Sequence, residues 1–113
     1  MDERIDKLLI DALIAAEAIR QFPHGADFSR FSVDHMMRSA VERQFEIIGE
    51  ALGRIRKIDP AHLVDIADHQ KIINFRNVIA HGYDVVQDGI TWDIVERKIP
   101  RLIVDIQAMR LKN

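Results

Sequence analysis

The sequence predicts an all-α fold, an up-and-down bundle of four main helices plus a short one. Three observations carry this reading. Only five Gly and three Pro occur in 113 residues. Apolar residues recur at three- and four-residue intervals over four long stretches. Pro23, Gly25, Asp59-Pro60 and Gly82 punctuate the gaps between those stretches. A chain of this length reads as a single domain, residues 1–113, because domains run to roughly 100–200 residues. With 48% hydrophobic residues it can bury a core, yet it is short enough for a second subunit to help cover apolar surface.

The first helix starts near Ile5 and carries Leu8, Leu9, Ala12, Leu13, Ala16 and Ile19 along one face. Ile10 and Ile14 widen that stripe, which suits burial on two sides. Pro23 and Gly25 end the helix near Phe22. Phe28 to Phe31 reads as a loop. Ser32 then reads as the N-cap of a long second helix reaching about Lys57, with Asp34 in its first turn. Its apolar series is Val33, Met36, Met37, Ala40, Val41, Phe45, Ile48, Leu52 and Ile55, and Met36, Met37 and the later Met109 are core filling. After Asp59-Pro60, Ala61 to Ala67 holds one or two short turns. Asp68 caps a third full helix bearing Ile72, Ile73, Phe75, Val78 and Ile79, which frays at His81-Gly82. Asp84 to Gly89 is a connector, and Thr91 caps the last helix. Trp92, Val95, Ile99, Leu102, Ile103 and Ile106 line its inner face, and Pro100 within it predicts a kink or a one-turn break.

Sixteen Lys and Arg against 18 Asp and Glu leave a formal charge of −2. That excludes nucleic-acid binding through overall charge, which needs a basic excess, but it leaves room for a narrow basic cleft. Arg38, Arg43, Arg54, Arg56, Lys57, Lys71 and Arg76 all fall in the middle of the chain, and side-by-side packing of the second and third helices would bring several to one groove. The absence of Cys removes disulfides, thiolate catalysis and Cys-based zinc sites, and fits a cytoplasmic protein. The acidic start Met1-Asp2-Glu3-Arg4 is unlike a secretory signal. No apolar run approaches the ~20 residues that span a bilayer.

Chemistry concentrates in Arg76-Asn77-Val78-Ile79-Ala80-His81-Gly82-Tyr83. Arg76 and His81 are five apart, hence about 140° from each other on a regular helix. They converge only if the last turn unwinds at Gly82 or if two copies of the helix face each other. At a helix C-terminus the dipole favours protonated His81, and a nearby Arg76 opposes it. A His poised near neutrality beside a fixed guanidinium suits phosphodiester cleavage: His81 moves protons and Arg76 neutralises charge on the non-bridging oxygens. Asn77 would assist by holding the phosphate or orienting His81. No metal or cofactor is needed. On spacing alone the same residues also serve as a surface charge and a capping side chain.

Arg76-x4-His81-x-Tyr83, followed by Asp84, resembles the motif of the HepT-like ribonuclease-toxin branch of the HEPN superfamily. Ile48-Gly49-Glu50-Ala51 in the long helix, and Trp92 and Pro100 downstream, extend the likeness over nearly the whole chain. The resemblance implies a HEPN-like homodimer whose composite cleft cleaves RNA without metal through Arg76 and His81. It implies a toxin–antitoxin pair in which a minimal nucleotidyltransferase antitoxin silences the toxin by transferring AMP to Tyr83. Added phosphate charge beside Arg76 and His81 would occupy the place of substrate phosphate. Arg38, Arg43 and Lys71 become candidates for RNA-backbone contact. In the alternative reading the chain is a non-catalytic helical module that docks the nucleotidyltransferase.

The remaining polar clusters have plainer readings. Gly49 and Gly53 point to close approach by another helix, within the bundle or across a dimer. Glu42, Glu46 and Glu50, flanked by Arg38 and Arg54, read as a solvated salt-bridge ladder, unless one Glu fixes Arg76. His62, Asp65 and His69 lack a fourth ligand for a metal. His24 and His35 read as ordinary polar residues.

Overall fold

The computed structural model describes residues 2–21, 28–80 and 88–112, apart from the side chains at 78–80 and 88. Asp2 opens the first helix, α1 (Glu3–Gln21). Its Oδ1 accepts the Arg4 backbone N–H at 2.7 Å, and the Arg4 guanidinium bonds the same carboxylate, holding it at about 2. Ile5, Leu9, Ala12, Ala15, Ala16 and Ile19 are buried along α1, and Leu8 and Leu13 are partly buried against the same core. Ile14 is 63% exposed.

Residues 28–33, expected to begin as a loop, form a six-residue helix, α2 (Phe28–Val33). Phe31 is buried against Trp92, with ring centroids 5.1 Å apart. A helix this short draws its stability from such packing rather than from local propensity, so periodicity misses it. The long helix α3 (His35–Ile58) begins later than expected. Its cap is Asp34, whose side chain accepts the Met37 N–H at 2.9 Å, while the Ser32 hydroxyl donates back to the Ser29 carbonyl. Val33 therefore precedes the helix and is 74% exposed. Met36, about 140° around the helix from Val41, is 85% exposed and is not core filling. Met37 packs against the core and Met109 lies within it.

Asp59 ends α3 and accepts the Ala61 N–H at 3.0 Å, starting the 3-10 turn Pro60–Asp65. The chain then turns at Asp68, whose φ of 61° is left-handed, a region Asp tolerates better than most residues. The Asp68 carboxylate faces Lys98 at 3.1 Å, and α4 (His69–Ala80) follows it. The expected fraying at His81-Gly82, the helix stop at Pro23 and Gly25, and His24 lie outside the described residues. Thr91 caps nothing. It is buried inside α5 (Asp88–Asp93). The turn Ile94–Lys98 is widened, with the Ile99 N–H bonded to the Ile94 carbonyl five residues back. It leads directly into α6 (Ile99–Leu111), where Pro100 occupies the first turn. Pro100 has no N–H to give and its ring crowds the carbonyl four residues back, so the one-turn break expected there takes this form.

The described residues thus build an all-α bundle with six helices, two of them too short for the sequence to signal. Arg110 near the end of α6 pairs with Asp6 near the start of α1 at 3.0 Å, so these helices are antiparallel. On the other side of α1, Arg4 and Lys7 share a groove with Arg54 and Lys57 of α3, which again runs antiparallel. Phe45 of α3 meets Phe75 of α4 edge to face at 5.1 Å, and Arg56 bonds Gln70 at 3.3 Å. The central α3 is therefore flanked by α1 and α4. Buried Asp105 ties α6 to the connector, accepting the Ala67 N–H at 2.9 Å and the Arg101 Nε–H at 2.9 Å. No described helix is long and apolar enough to cross a membrane.

Candidate active site

The edge-to-face pair of Phe45 and Phe75 seats α4 on α3, and the next residue, Arg76, is turned toward the α3 backbone. It comes down on Gly49. A Cβ built on Gly49 would collide with the Cβ and Cγ of Arg76. This Gly is the space in which the arginine stem lies. Gly53, one turn on, has nothing within 4 Å of the same built atom. The close approach expected for both glycines is therefore found within the chain at Gly49 alone.

The guanidinium that this packing presents is only partly occupied. Nη1 donates to Asn77 Oδ1 at 3.2 Å, while Nε is buried with no acceptor among the described residues. Among the described residues no carboxylate pairs with Arg76. Two of the three glutamates of the row pair elsewhere: Glu50 with Arg54 at 3.1 Å and Glu46 with Arg43 at 3.3 Å. The Glu50–Arg54 pair is the one the ladder expected, while Glu46 takes Arg43 rather than a flanking arginine, and neither glutamate compensates Arg76. A half-buried cation and an unsatisfied N–H each cost free energy, so the arrangement suits an anion that arrives from outside. Asn77 is exposed beside it, with its amide oxygen on the guanidinium. His81 and Tyr83 lie outside the described residues.

The basic residues of the middle stretch do not share one groove. Lys71 lines a cleft between α4 and the α5 region together with Lys98, whereas Arg54 and Lys57 face Arg4 and Lys7 across the α1–α3 groove. Arg38 Nη2 lies 2.6 Å from His35 Nδ1 on the exposed start of α3. Arg4 and Lys7 are the partners that sequence clustering could not find, since about fifty residues separate them from Arg54 and Lys57. The imidazoles of the His62, Asp65 and His69 group have local neighbours. His62 Nδ1 is 3.2 Å from Asp59 Oδ2, within ion-pair range though not aligned as a hydrogen bond, and His69 Nδ1 is 3.0 Å from the Ile66 carbonyl.

An all-helical bundle that presents, about two turns into α4, an arginine with no carboxylate partner among the described residues, at the head of the R-x4-H stretch, fits a HEPN-type ribonuclease fold. The chain belongs to the HepT-like ribonuclease family, whose model, described as "Ribonuclease HepT-like", matches residues 12–109. Two proteins of Methanocaldococcus jannaschii are similar along most of their length. One, named "Putative RNase MJ1380", is 27% identical over 93% of this chain and 95% of its own. The other, named "Putative RNase MJ0127", is 29% identical over 89% of this chain and 83% of its own. A third from that organism, "Gamma-glutamylcyclotransferase and putative RNase MJ0434", is 27% identical and is matched over 42% of its length. No solved structure matches.

Proposed function

We propose that this protein is a metal-independent endoribonuclease, the toxin of a toxin–antitoxin pair, in which Arg76 and His81 cleave RNA in a cleft shared by two copies of the chain. The observation that carries the reading is the Arg76 guanidinium, seated on Gly49 and bonded to Asn77 with no carboxylate partner among the described residues. In a family of ribonucleases, the anion such a group awaits is the phosphodiester. Attack of the ribose 2′-oxygen on phosphorus forms the new P–O bond as the bond to the 5′-oxygen breaks. His81 takes the 2′-OH proton, and a protonated imidazole, supplied by the second copy, donates one to the leaving oxygen. Arg76 meets the charge that grows on the non-bridging oxygens, and Asn77 assists. Arg38, Arg43 and Lys71 contact the RNA backbone further out.

The test pairs wild type with His81→Ala on labelled RNA in excess chelator. Wild type cleaves, and His81→Ala is slower by about 10²-fold or more, the usual contribution of a positioned acid–base group. Equal cleavage by both, or none by either unmodified protein, would favour the non-catalytic module that docks a nucleotidyltransferase.

The same reading makes Tyr83 the acceptor of AMP from a minimal nucleotidyltransferase antitoxin. Each AMP places a phosphate beside Arg76 and His81, where substrate phosphate belongs. After co-expression with that partner, the intact mass rises in whole AMP units and Tyr83→Phe abolishes the gain. A gain that persists in Tyr83→Phe removes the tyrosine from this role.

A further inference from the structure

Gly49 sits in the interior of α3, where Gly is disfavoured relative to Ala. Its retention there requires a reason, and the structure supplies one that Gly53 lacks. The Cβ and Cγ of Arg76 occupy the volume a side chain at 49 would fill. These are the atoms nearest the α4 backbone, so Arg76 cannot yield by swinging the far end of its chain. The Arg76 Cβ is set by the α4 backbone, so no change of rotamer clears it, and any residue but Gly at 49 forces α4 to shift against α3. That shift carries the guanidinium, with the Asn77 Oδ1 that now accepts from Nη1 at 3.2 Å, away from its present place on α3.

We infer that Gly49 is a positioning residue for the ribonuclease reaction: its missing side chain and the Asn77 amide together set where the Arg76 guanidinium meets substrate phosphate. The inference rests on Arg76 being catalytic, and it assigns Gly49 no contact with RNA. An arginine displaced by an ångström loses the alignment that makes it useful, a loss of about 10²-fold in rate. That loss falls on kcat more than on KM, because the guanidinium meets charge that develops in the transition state.

The experiment measures kcat, KM and melting temperature for wild type, Gly49→Ala, Gly53→Ala, Arg76→Ala, Arg76→Gly and the double variant Gly49→Ala/Arg76→Gly. Gly49→Ala lowers kcat by about 10²-fold. Gly53→Ala leaves kcat within about two-fold and melts higher, as a relieved helix glycine should. In the Arg76→Gly background, where both colliding stem atoms are gone, Gly49→Ala lowers kcat no further, because a residue acting only through another has no effect once that residue is gone. A folded Gly49→Ala that keeps wild-type kcat overturns the inference, as does a further loss in the double variant. Wild-type kcat in Arg76→Ala instead overturns the catalytic reading of Arg76 itself. If Gly49→Ala is unfolded at the assay temperature, the pair Gly49→Ala/Arg76→Gly decides. Removing both arginine stem atoms relieves the collision and restores melting to within about 4 °C of Arg76→Gly alone. Failure to restore it means that Arg76 is not what Gly49 accommodates.

Discussion

Arg76→Met abolishes most RNA cleavage while leaving the protein as stable as before or more so. Methionine keeps the stem that lies on Gly49, so the packing between α3 and α4 survives. What it removes is a half-buried positive charge with no carboxylate, and an Nε–H with no acceptor, among the described residues. An unsatisfied buried donor costs about 1–3 kcal/mol, so thermal melting of Arg76→Met occurs at or above the wild-type temperature. Cleavage falls by about 10²–10³-fold, the usual effect of losing a group that stabilises transition-state charge. Arg76→Lys separates charge from shape. It retains the cation but not the planar fork that matches a phosphate, and it too is impaired. Opposite signs for activity and stability mark a group kept for function at the expense of the fold. A marked fall in melting temperature in Arg76→Met would instead make Arg76 a structural residue.

Phe45→Ala removes a large share of the protein's stability. Phe45 is fully buried in the middle of α3 and meets Phe75 edge to face at 5.1 Å. Truncating a buried phenylalanine costs about 3–5 kcal/mol, against a total stability of about 5–15 kcal/mol for a domain. Urea denaturation reads this directly as a lower midpoint. Phe45→Leu is the milder comparison, losing the aromatic pair, worth about 0.5–1.5 kcal/mol, while filling most of the volume. Because Phe75 immediately precedes Arg76, Phe45→Leu also loosens the platform that carries the arginine, and its cleavage rate falls more than its stability. A Phe45→Ala protein with an unchanged midpoint would mean that this contact does not hold α4 to α3.

The helices that could be read from the sequence are those whose stability is written along their own length. The stripe from Ile5 to Ile19 and the series from Val41 to Ile55 are local patterns, and the structure buries their core-facing members. Asp59-Pro60 and Pro100 were legible for a related reason, since an imino acid constrains its own neighbours wherever the rest of the chain goes. The helix α2 was not legible, because Phe31 reads as a loop residue until Trp92, about sixty positions later, supplies its partner. The caps failed similarly. Ser32 and Thr91 have the right chemistry, but Asp34 takes one role and burial inside α5 removes Thr91 from the other.

For the site, family membership is legible in the residues alone: the Arg76 to Tyr83 motif, the tetrapeptide around Gly49 and the mildly acidic balance against which a local cation stands out. These are properties of residue type and short-range spacing. Tertiary packing supplies the rest: which of two similar glycines has Arg76 against it, that Glu46 and Glu50 take Arg43 and Arg54, and that Lys57 looks across to Arg4 rather than toward Lys71. Each depends on which faces of α1, α3 and α4 are pressed together. That choice is made by the packing of side chains distant in sequence, and no periodicity along one helix contains it.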